Sequence, residues 1–332
     1  MEKENSKKIF ITGGSGFVGY HIAKQLIKSN HQVIIYDAFL NFIPVQESTY
    51  EFYLKERLKD IQDKTKIIKG DLRDKNHLKK IIKEESPEII IHLAGIPIAS
   101  ASNQFFDDAI QTNLNGTINL LEAIRENPSV KRLVYTSSSF VYGDFKYEPA
   151  DEAHPTNPID IYGATKLAGE NLIKSFTNRF GVEHVIIRPS AIYGPTDANR
   201  RISQIFIESA IKGEPLILHD GGEGKLDFTY VEDAAQGFVL AALSPQAKNE
   251  TFNITRGESR KIKEFVEILQ KYIPNIKTVV KEPEDRRPNR GTLDIAKARR
   301  ILGYSPEYSL ERGLQKYLEY IKSTKLFKDF NF

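Results

Sequence analysis

The feature that most constrains this chain is a cluster of glycines between an apolar strand pattern and a helical one. Lys8-Ile9-Phe10-Ile11-Thr12 runs directly into Gly13-Gly14-Ser15-Gly16-Phe17-Val18-Gly19. A chain leaving a buried strand and entering a helix at once needs positions without a Cβ. Glycines at 13, 16 and 19 supply a tight turn, close backbone approach to a bound anion, and close packing of helix on strand. The free N–H groups of the helix start then point at one place, with partial positive charge behind them. The run therefore predicts a pyrophosphate-binding turn around Gly13, Gly16, Phe17, Val18 and Gly19, and a βαβ unit built outward from it.

The rest of the first half fits that start. Gln32-Val33-Ile34-Ile35-Tyr36, Lys66-Ile67-Ile68, Glu88-Ile89-Ile90-Ile91-His92-Leu93 and Arg132-Leu133-Val134-Tyr135-Thr136 read as strands buried on both faces. Helix-period stretches at 17–29, 75–85 and 107–126 separate them, as expected of a parallel sheet with helices on both sides. A further helix is predicted at 160–180, then a strand at Val185-Ile186-Ile187-Arg188. An additional amphipathic segment near 46–61 reads as an inserted helix. From about 190 onward glycine, proline and charge rise, with helices expected near 201–212, 231–243, 261–272, 294–302 and 309–322. The expected fold class is α/β: a doubly wound parallel sheet over 1–189, and a smaller C-terminal α/β lobe over 190–332. Some of that lobe, such as 226–245, is expected to return to the large domain.

Asp37 ends the second strand at the distance from the glycines that suits ribose hydroxyls. A carboxylate there accepts hydrogen bonds from both hydroxyls and repels a 2′-phosphate. Ala38-Phe39-Leu40-Asn41 offers no cation to hold one, so NAD is favoured over NADP. Asp37 can also be read simply as a turn residue closing a strand.

Chemistry is suggested by Tyr162-Gly163-Ala164-Thr165-Lys166, preceded by Thr136-Ser137-Ser138-Ser139-Phe140-Val141-Tyr142-Gly143. A phenol is a poor base at neutral pH unless a fixed ammonium, here one helical turn away, favours the phenolate. The pair recurs at Tyr20/Lys24 and Tyr142/Lys146. Tyr20 lies just inside the helix behind the glycine loop, and Gly143 interrupts a helix after Tyr142. Tyr162 alone heads a long helical pattern, through Leu167, Leu172, Ile173 and Phe176. Ser138 is either a partner of Tyr162 or a turn hydroxyl capping backbone groups.

Taken together, these residues resemble the extended short-chain dehydrogenase/reductases, in particular the NAD-dependent nucleotide-sugar epimerases and dehydratases. The resemblance runs from the glycine loop to Asp294-Ile295-Ala296-Lys297-Ala298 and Leu302-Gly303-Tyr304. It implies a Rossmann-like sheet and bound NAD. Asp71-Leu72 would contact adenine, and Leu93, Ala94 and Gly95 would form the loop under the cofactor. Asn113 would stand near the active site in a structural role, and Pro189 and Ser190 would begin the segment running past the nicotinamide. Ser138, Tyr162 and Lys166 would be catalytic, with Tyr162 and Lys166 also touching the cofactor. Leu226-Asp227-Phe228 and Arg286-Arg287-Pro288 fall where relatives bind the nucleotide diphosphate. Two positions depart from the common pattern: Ser190 replaces an asparagine, and Leu226 replaces an arginine. The missing cation leaves Lys225, Arg200, Arg201, Arg287 or Arg290 to supply charge, with Ser138 and Ser139 facing the sugar. Each arginine can equally be a solvated surface residue.

The implied reaction is redox at sugar C4, with Tyr162 moving the hydroxyl proton and Ser138 holding the same oxygen. Relatives that dehydrate usually carry Asp-Glu after the serine, and relatives that decarboxylate carry glutamate at the Phe140 position. This chain has Ser139-Phe140. The expected activity is therefore a nucleotide-sugar 4-epimerase of the UDP-glucose or UDP-glucuronate type. The alternatives are dehydration, decarboxylation or keto reduction in the same family, or an NAD-binding regulatory protein without turnover. Relatives commonly dimerise through the helices at 107–126 and 160–180, so a homodimer is expected.

Composition removes other classes. Among 332 residues there is no cysteine, and the seven histidines are scattered without ligand spacing, so no metal is expected. The net charge of +3, with acids and bases interleaved, does not suggest a nucleic-acid partner. The apolar runs are too short for a bilayer, and Met1 to Lys8 does not resemble a signal segment. A cytoplasmic protein without a membrane partner is expected.

Overall fold

The computed structural model describes residues 6–42, 47–282 and 287–324. The first half alternates strands and helices: β1 (Lys8–Thr12), α1 (Phe17–Lys28), β2 (Gln32–Asp37), α2 (Glu47–Lys59), β3 (Lys66–Lys69), α3 (Lys75–Glu85) and β4 (Ile89–His92). Next come α4 (Ala99–Gln104), α5 (Phe106–Ala109), a π-helical stretch (Ile110–Asn115), α6 (Gly116–Arg125) and β5 (Arg132–Thr136). A 3-10 turn (Ser139–Tyr142) then leads to α7 (Ile161–Phe180), β6 (Glu183–Pro189) and β7 (Ile192–Tyr193). The remainder is α8 (Ile202–Ile211), β8 (Leu216–His219), β9 (Lys225–Asp227), β10 (Thr229–Tyr230), α9 (Val231–Leu243), β11 (Glu250–Ile254), β12 (Ser259–Lys261), α10 (Ile262–Gln270), β13 (Thr278–Lys281), α11 (Ala296–Leu302) and α12 (Leu310–Ser323).

Seven strands form one parallel sheet in the order β11-β6-β5-β4-β1-β2-β3. Alternate residues of each strand take opposite faces, and the apolar set divides accordingly. Ile9, Ile11, Val33, Ile35, Ile91, Val134 and Ile187 pack with Ile22 and Leu26 of α1 and Phe238 of α9. Phe10, Ile34, Ile90, Leu133, Tyr135 and Ile186 pack on the other side with Leu78 and Ile82 of α3, Leu120 and Ile124 of α6, and Ile173 of α7. The strand run at Lys66-Ile67-Ile68 differs from its expected burial on both faces. As β3 it is the sheet edge, with both terminal residues exposed and Ile67 and Ile68 half-buried.

The chain order reverses between β1 and β4, which opens a crevice at their carboxyl ends. The residues bounding it are the glycine loop after β1, Asp37 at the end of β2, and Leu93 to Pro97 after β4. A second core is formed by Phe206, Leu216, Leu218, Phe228, Phe265, Leu269, Leu314 and Tyr317. α9 and β11 lie late in the sequence but belong to the main sheet's layers, where β11 pairs with β6. The helix expected at 107–126 contains the π-helical stretch Ile110–Asn115, a local widening often found at functional sites.

Candidate active site

Gly13 has φ +69°, and a Cβ there would come within 2.8 Å of the Ala94 backbone nitrogen. A Cβ at Gly19 would overlap the Gly13 carbonyl, so loop, helix and β4 pack too closely for side chains at these points. Gly16 stands at the N-cap of α1, which has no side-chain cap and no acidic residue in its first turn. Its first N–H groups therefore remain unclaimed by carboxylates of their own helix. Asp37 spans the loop: one oxygen accepts from Ser15 N at 3.1 Å and the other from Phe39 N at 2.8 Å. The turn role and the cleft-facing role thus coexist in one residue.

The cleft is lined by Gly13, Gly16, Phe17, Val18, Gly19, Asp37, Asp71, Leu72, Leu93, Ala94, Gly95 and Pro189, with Tyr162 and Lys166 at its inner end. Asp71 is clasped by Arg73, whose guanidinium approaches to 2.7 Å. Burial would raise the Asp71 carboxyl, but Arg73's bonds hold it below the usual range. Asn113 is buried behind the wall. Its Oδ1 accepts from Ile96 N at 2.8 Å and its Nδ2 donates to Thr165 Oγ1 at 3.3 Å, tying the loop after β4 to α7.

α7 presents the Tyr–Lys pair. Asp160 caps its start by accepting from Gly163 N at 2.7 Å, and Gly181 ends it at φ +76°. Lys166 Nζ donates to Thr136 O at 2.8 Å and lies 5.8 Å from the centre of the Tyr162 ring. Burial pushes the Lys166 ammonium down to about 8. Burial also raises the Tyr162 phenol, against the lowering effect of a hydrogen bond with Ser138 and the charges of Arg201 and Arg290. Lys166 gives one of its three N–H donors to Thr136 O, so its influence on Tyr162 is exerted as a charge across the 5.8 Å to the ring. Ser138 also accepts from Phe140 N at 3.2 Å, so it caps the 3-10 turn and reaches Tyr162 at once.

Of the residues expected at the sugar nucleotide, Ser139 and Arg290 come together. Arg290 donates to Ser139 Oγ at 3.1 Å, and its guanidinium lies 4.0 Å over the Phe140 ring. Phe140 in turn meets the Tyr162 ring edge-on at 5.6 Å. Arg201 lines the cleft, held by Asp197 at 2.8 Å and sitting 5.9 Å over Phe17. Lys225 is exposed and lies 3.5 Å from Glu148, Arg200 is 3.2 Å from Glu208, and Arg287 is exposed. Ser190 is buried just after β6 and is not part of the cleft wall. Asp227 is buried and accepts from Thr255 Oγ1 and Leu293 N, which makes it a brace inside the lobe. Arg286 lies outside the described residues.

Several residues escaped the sequence reading. Buried Glu170 receives Arg188 through two bonds, at 2.9 and 2.7 Å, and Ser137 Oγ at 2.5 Å. An arginine inside an otherwise apolar strand is the one signal that announced such a partner. Arg57 and Tyr50 of α2, Arg73, Thr112 and Thr136 also line the cleft. Thr112 Oγ1, Thr136 Oγ1 and Arg57 Nε are buried without hydrogen-bond partners. Orphaned polar atoms along a cleft with a glycine cradle and a ribose-type carboxylate fit a dinucleotide. Among the described residues, no helix is long and apolar enough to cross a membrane, and no acidic or histidine group could hold a metal ion.

Comparison with known proteins agrees with this geometry. Residues 9–255 match the model of the NAD dependent epimerase/dehydratase family. A UDP-glucose 4-epimerase of Mycolicibacterium smegmatis is 29% identical over 95% of this chain and 99% of its own length. A dTDP-glucose 4,6-dehydratase of Neisseria meningitidis is 28% identical, covering 96% of this chain and 94% of that protein. The crystal structure of UDP-glucuronic acid 4-epimerase from Bacillus cereus, in complex with UDP-glucuronic acid and NAD, superposes with a TM-score of 0.87. The two are 28% identical, over 95% of this chain and 99% of that one.

Proposed function

Since the chain belongs to the NAD dependent epimerase/dehydratase family, we propose that it is a nucleotide-sugar 4-epimerase acting on a UDP-sugar. The observation that carries this reading is what stands beside the Ser138–Tyr162 pair. A dehydratase needs an acid and a base there, and this site has Phe140 under the Arg290 guanidinium. Phe140 offers no carboxylate for elimination, while Ser138, Tyr162 and Lys166 are residue types that serve redox at a sugar alcohol.

The glycine loop, Asp37, Asp71, Leu72, Leu93 to Gly95 and Pro189 would hold NAD, with Asn113 fixing the loop from behind. The chemistry that bound NAD supplies is reversible hydride transfer at C4, outward from one face of the sugar and back to the other. Tyr162 takes the O4 proton in the first half and returns it in the second. Ser138 hydrogen-bonds the same oxygen, steadying charge as it develops. Lys166, anchored on Thr136 O, fixes the depth of Tyr162 and can reach the nicotinamide ribose. Arg290 and Ser139 face the sugar nucleotide, with Arg201 near the cofactor side and Lys225 and Arg287 at the outer rim. UDP is favoured as the nucleotide because UDP-sugar 4-epimerases recur among the similar proteins.

The chain is further expected to form a homodimer. Ile118 of α6 and Leu172 of α7 are exposed where a paired helix would cover them, while Leu121 is buried in the core. The test of activity is incubation of the purified protein with UDP-, GDP-, CDP- and dTDP-sugars, followed by NMR of the products. A 4-epimer of unchanged mass formed without added cofactor is expected. A product of altered mass, or a stoichiometric need for NAD(P)H, overturns the assignment.

A further inference from the structure

Helix α2 is an insertion between β2 and β3, and it carries a buried cation to the cofactor cleft. Arg57 is 3% exposed and lines the cleft together with Tyr50 of the same helix. Its Nη1 donates to Thr196 O at 2.7 Å, while its Nε is buried without a partner. The carboxylates that act on it, Asp197 and Asp37, are committed elsewhere. Asp197 holds Arg201 and Asn199, and Asp37 holds Ser15 N and Phe39 N. A guanidinium cannot shed its charge, and burying one beside carboxylates already engaged by other groups is costly unless a bound anion adds counter-charge.

The placement indicates which ligand. Thr196 begins the strap Thr196 to Arg201, from which Ala198, Asn199 and Arg201 line the same cleft. Arg201 stacks over Phe17, the first residue of α1, so this strap lies at the uncapped helix start. We propose that Arg57 binds the pyrophosphate of the dinucleotide, joining Arg201 and the α1 N-terminus, and that this contact retains the cofactor between turnovers. The inserted helix is then a cofactor clasp that ties the large domain to the strap. The proposal rests on the dinucleotide reading of the cleft and is independent of which sugar reaction follows.

The test compares ligands with and without the phosphates. The variants are Arg57→Met, which keeps bulk, and Arg57→Gln, which keeps a donor for Thr196 O. Each would be freed of bound nucleotide and titrated calorimetrically with ADP, adenosine, NAD and NADP, and the NAD carried through purification would be quantified. Loss of a charge-assisted bond predicts about tenfold or more weaker ADP and NAD binding, with adenosine unchanged. NAD carried through purification should fall in parallel. Equal weakening of adenosine and ADP would show that Arg57 merely packs α2, and unchanged ADP binding would remove it from the site. A loss confined to NADP would assign it to a 2′-phosphate. Each of these three results overturns the proposal, and Arg57→Gln supplies the reading if Arg57→Met does not fold. Failure of the wild type to epimerise any sugar would instead sink the proposed activity and leave these titrations intact.

Discussion

Replacing Glu170 by glutamine should destabilise the protein far more than its isosteric shape suggests. Glu170 is fully buried and Arg188 is 4% exposed, so neither charge can turn to solvent when the other is lost. Arg188 places Nε and Nη2 on the two carboxylate oxygens, at 2.9 and 2.7 Å, and its Nη1 on Glu152 O at 3.2 Å. In Glu170→Gln one oxygen becomes an NH₂ group that faces an arginine donor, and the guanidinium loses its counter-charge. Breaking a buried pair from one side costs about 3–5 kcal/mol, a large part of the ~5–15 kcal/mol that holds a typical domain together. The double variant Glu170→Met/Arg188→Met, which removes both charges, should lose less than Glu170→Gln alone. Urea unfolding at neutral pH, followed by circular dichroism, measures both. Burial raises the Glu170 carboxyl, but the bonds and charge of Arg188 outweigh it and hold the group below its ordinary range. The contribution is therefore present above the unfolded glutamate value of about 4.3 and fades as pH falls below it, so wild type and Glu170→Gln should converge in acid. A loss under about 1 kcal/mol for Glu170→Gln at pH 7, or a double variant worse than the single one, would refute the reasoning.

Tyr162→Phe should lower kcat by about 10²–10⁴-fold while the purified protein keeps its NAD, which steady-state rates and cofactor absorbance would measure together. His92 is buried between Thr12 Oγ1 at 2.7 Å and Thr117 Oγ1 at 3.0 Å, and burial, aided by Lys166, lowers its pKa to about 3. The unfolded state then binds a proton that the folded state refuses, so stability should fall by about 1.4 kcal/mol per pH unit as pH drops below about 6.5. Subtracting the urea-unfolding pH profile of His92→Gln isolates that slope, and identical profiles would remove His92 as its source. Ile118→Glu combined with Leu172→Glu should give a monomer by light scattering; an unchanged dimer mass would locate the interface on another face.

What could be read from the sequence was whatever leaves a local signature. The glycine loop, the buried strand at Lys8 to Thr12 and the helix at 160–180 follow from spacing and backbone chemistry. The π-helical stretch at Ile110–Asn115 has no such signature, because its periodicity looks like an ordinary helix. Arg57 was illegible for a different reason. Amid Lys55, Glu56 and Lys59 it reads as a solvated face, and only the tertiary placement of Thr196 makes it a buried donor. Distance in the chain also concealed the partners of Arg188 and Asp227, since Glu170 and Thr255 are brought to them by sheet and lobe packing. By sequence Lys225, Arg200, Arg201, Arg287 and Arg290 are equal alternatives for the missing cation, whereas the fold brings Arg290 to the serine turn and leaves Lys225 beside Glu148.

The Tyr162–Lys166 pair carries a deeper lesson about the base. A lysine one turn from a tyrosine suggests a permanent ammonium that strips the phenol of its proton. In the folded protein burial works against both charges: it raises Tyr162 and pushes Lys166 down to about 8. The opposing influences on Tyr162 are the Ser138 hydrogen bond and the more distant charges of Arg201 and Arg290. Further positive charge close by would oppose that burial and favour the phenolate. An oxidised nicotinamide carries that charge and a reduced one does not. Tyr162 would therefore be the stronger base when C4 must give up hydride, and the stronger acid when the 4-keto oxygen must be protonated again. Burial, which looks unfavourable for a base considered alone, would leave Tyr162 responsive to the charge of a bound nicotinamide. An epimerase needs that reversal twice in every cycle, and a fixed ammonium bonded to Tyr162 would hold the phenolate through both halves.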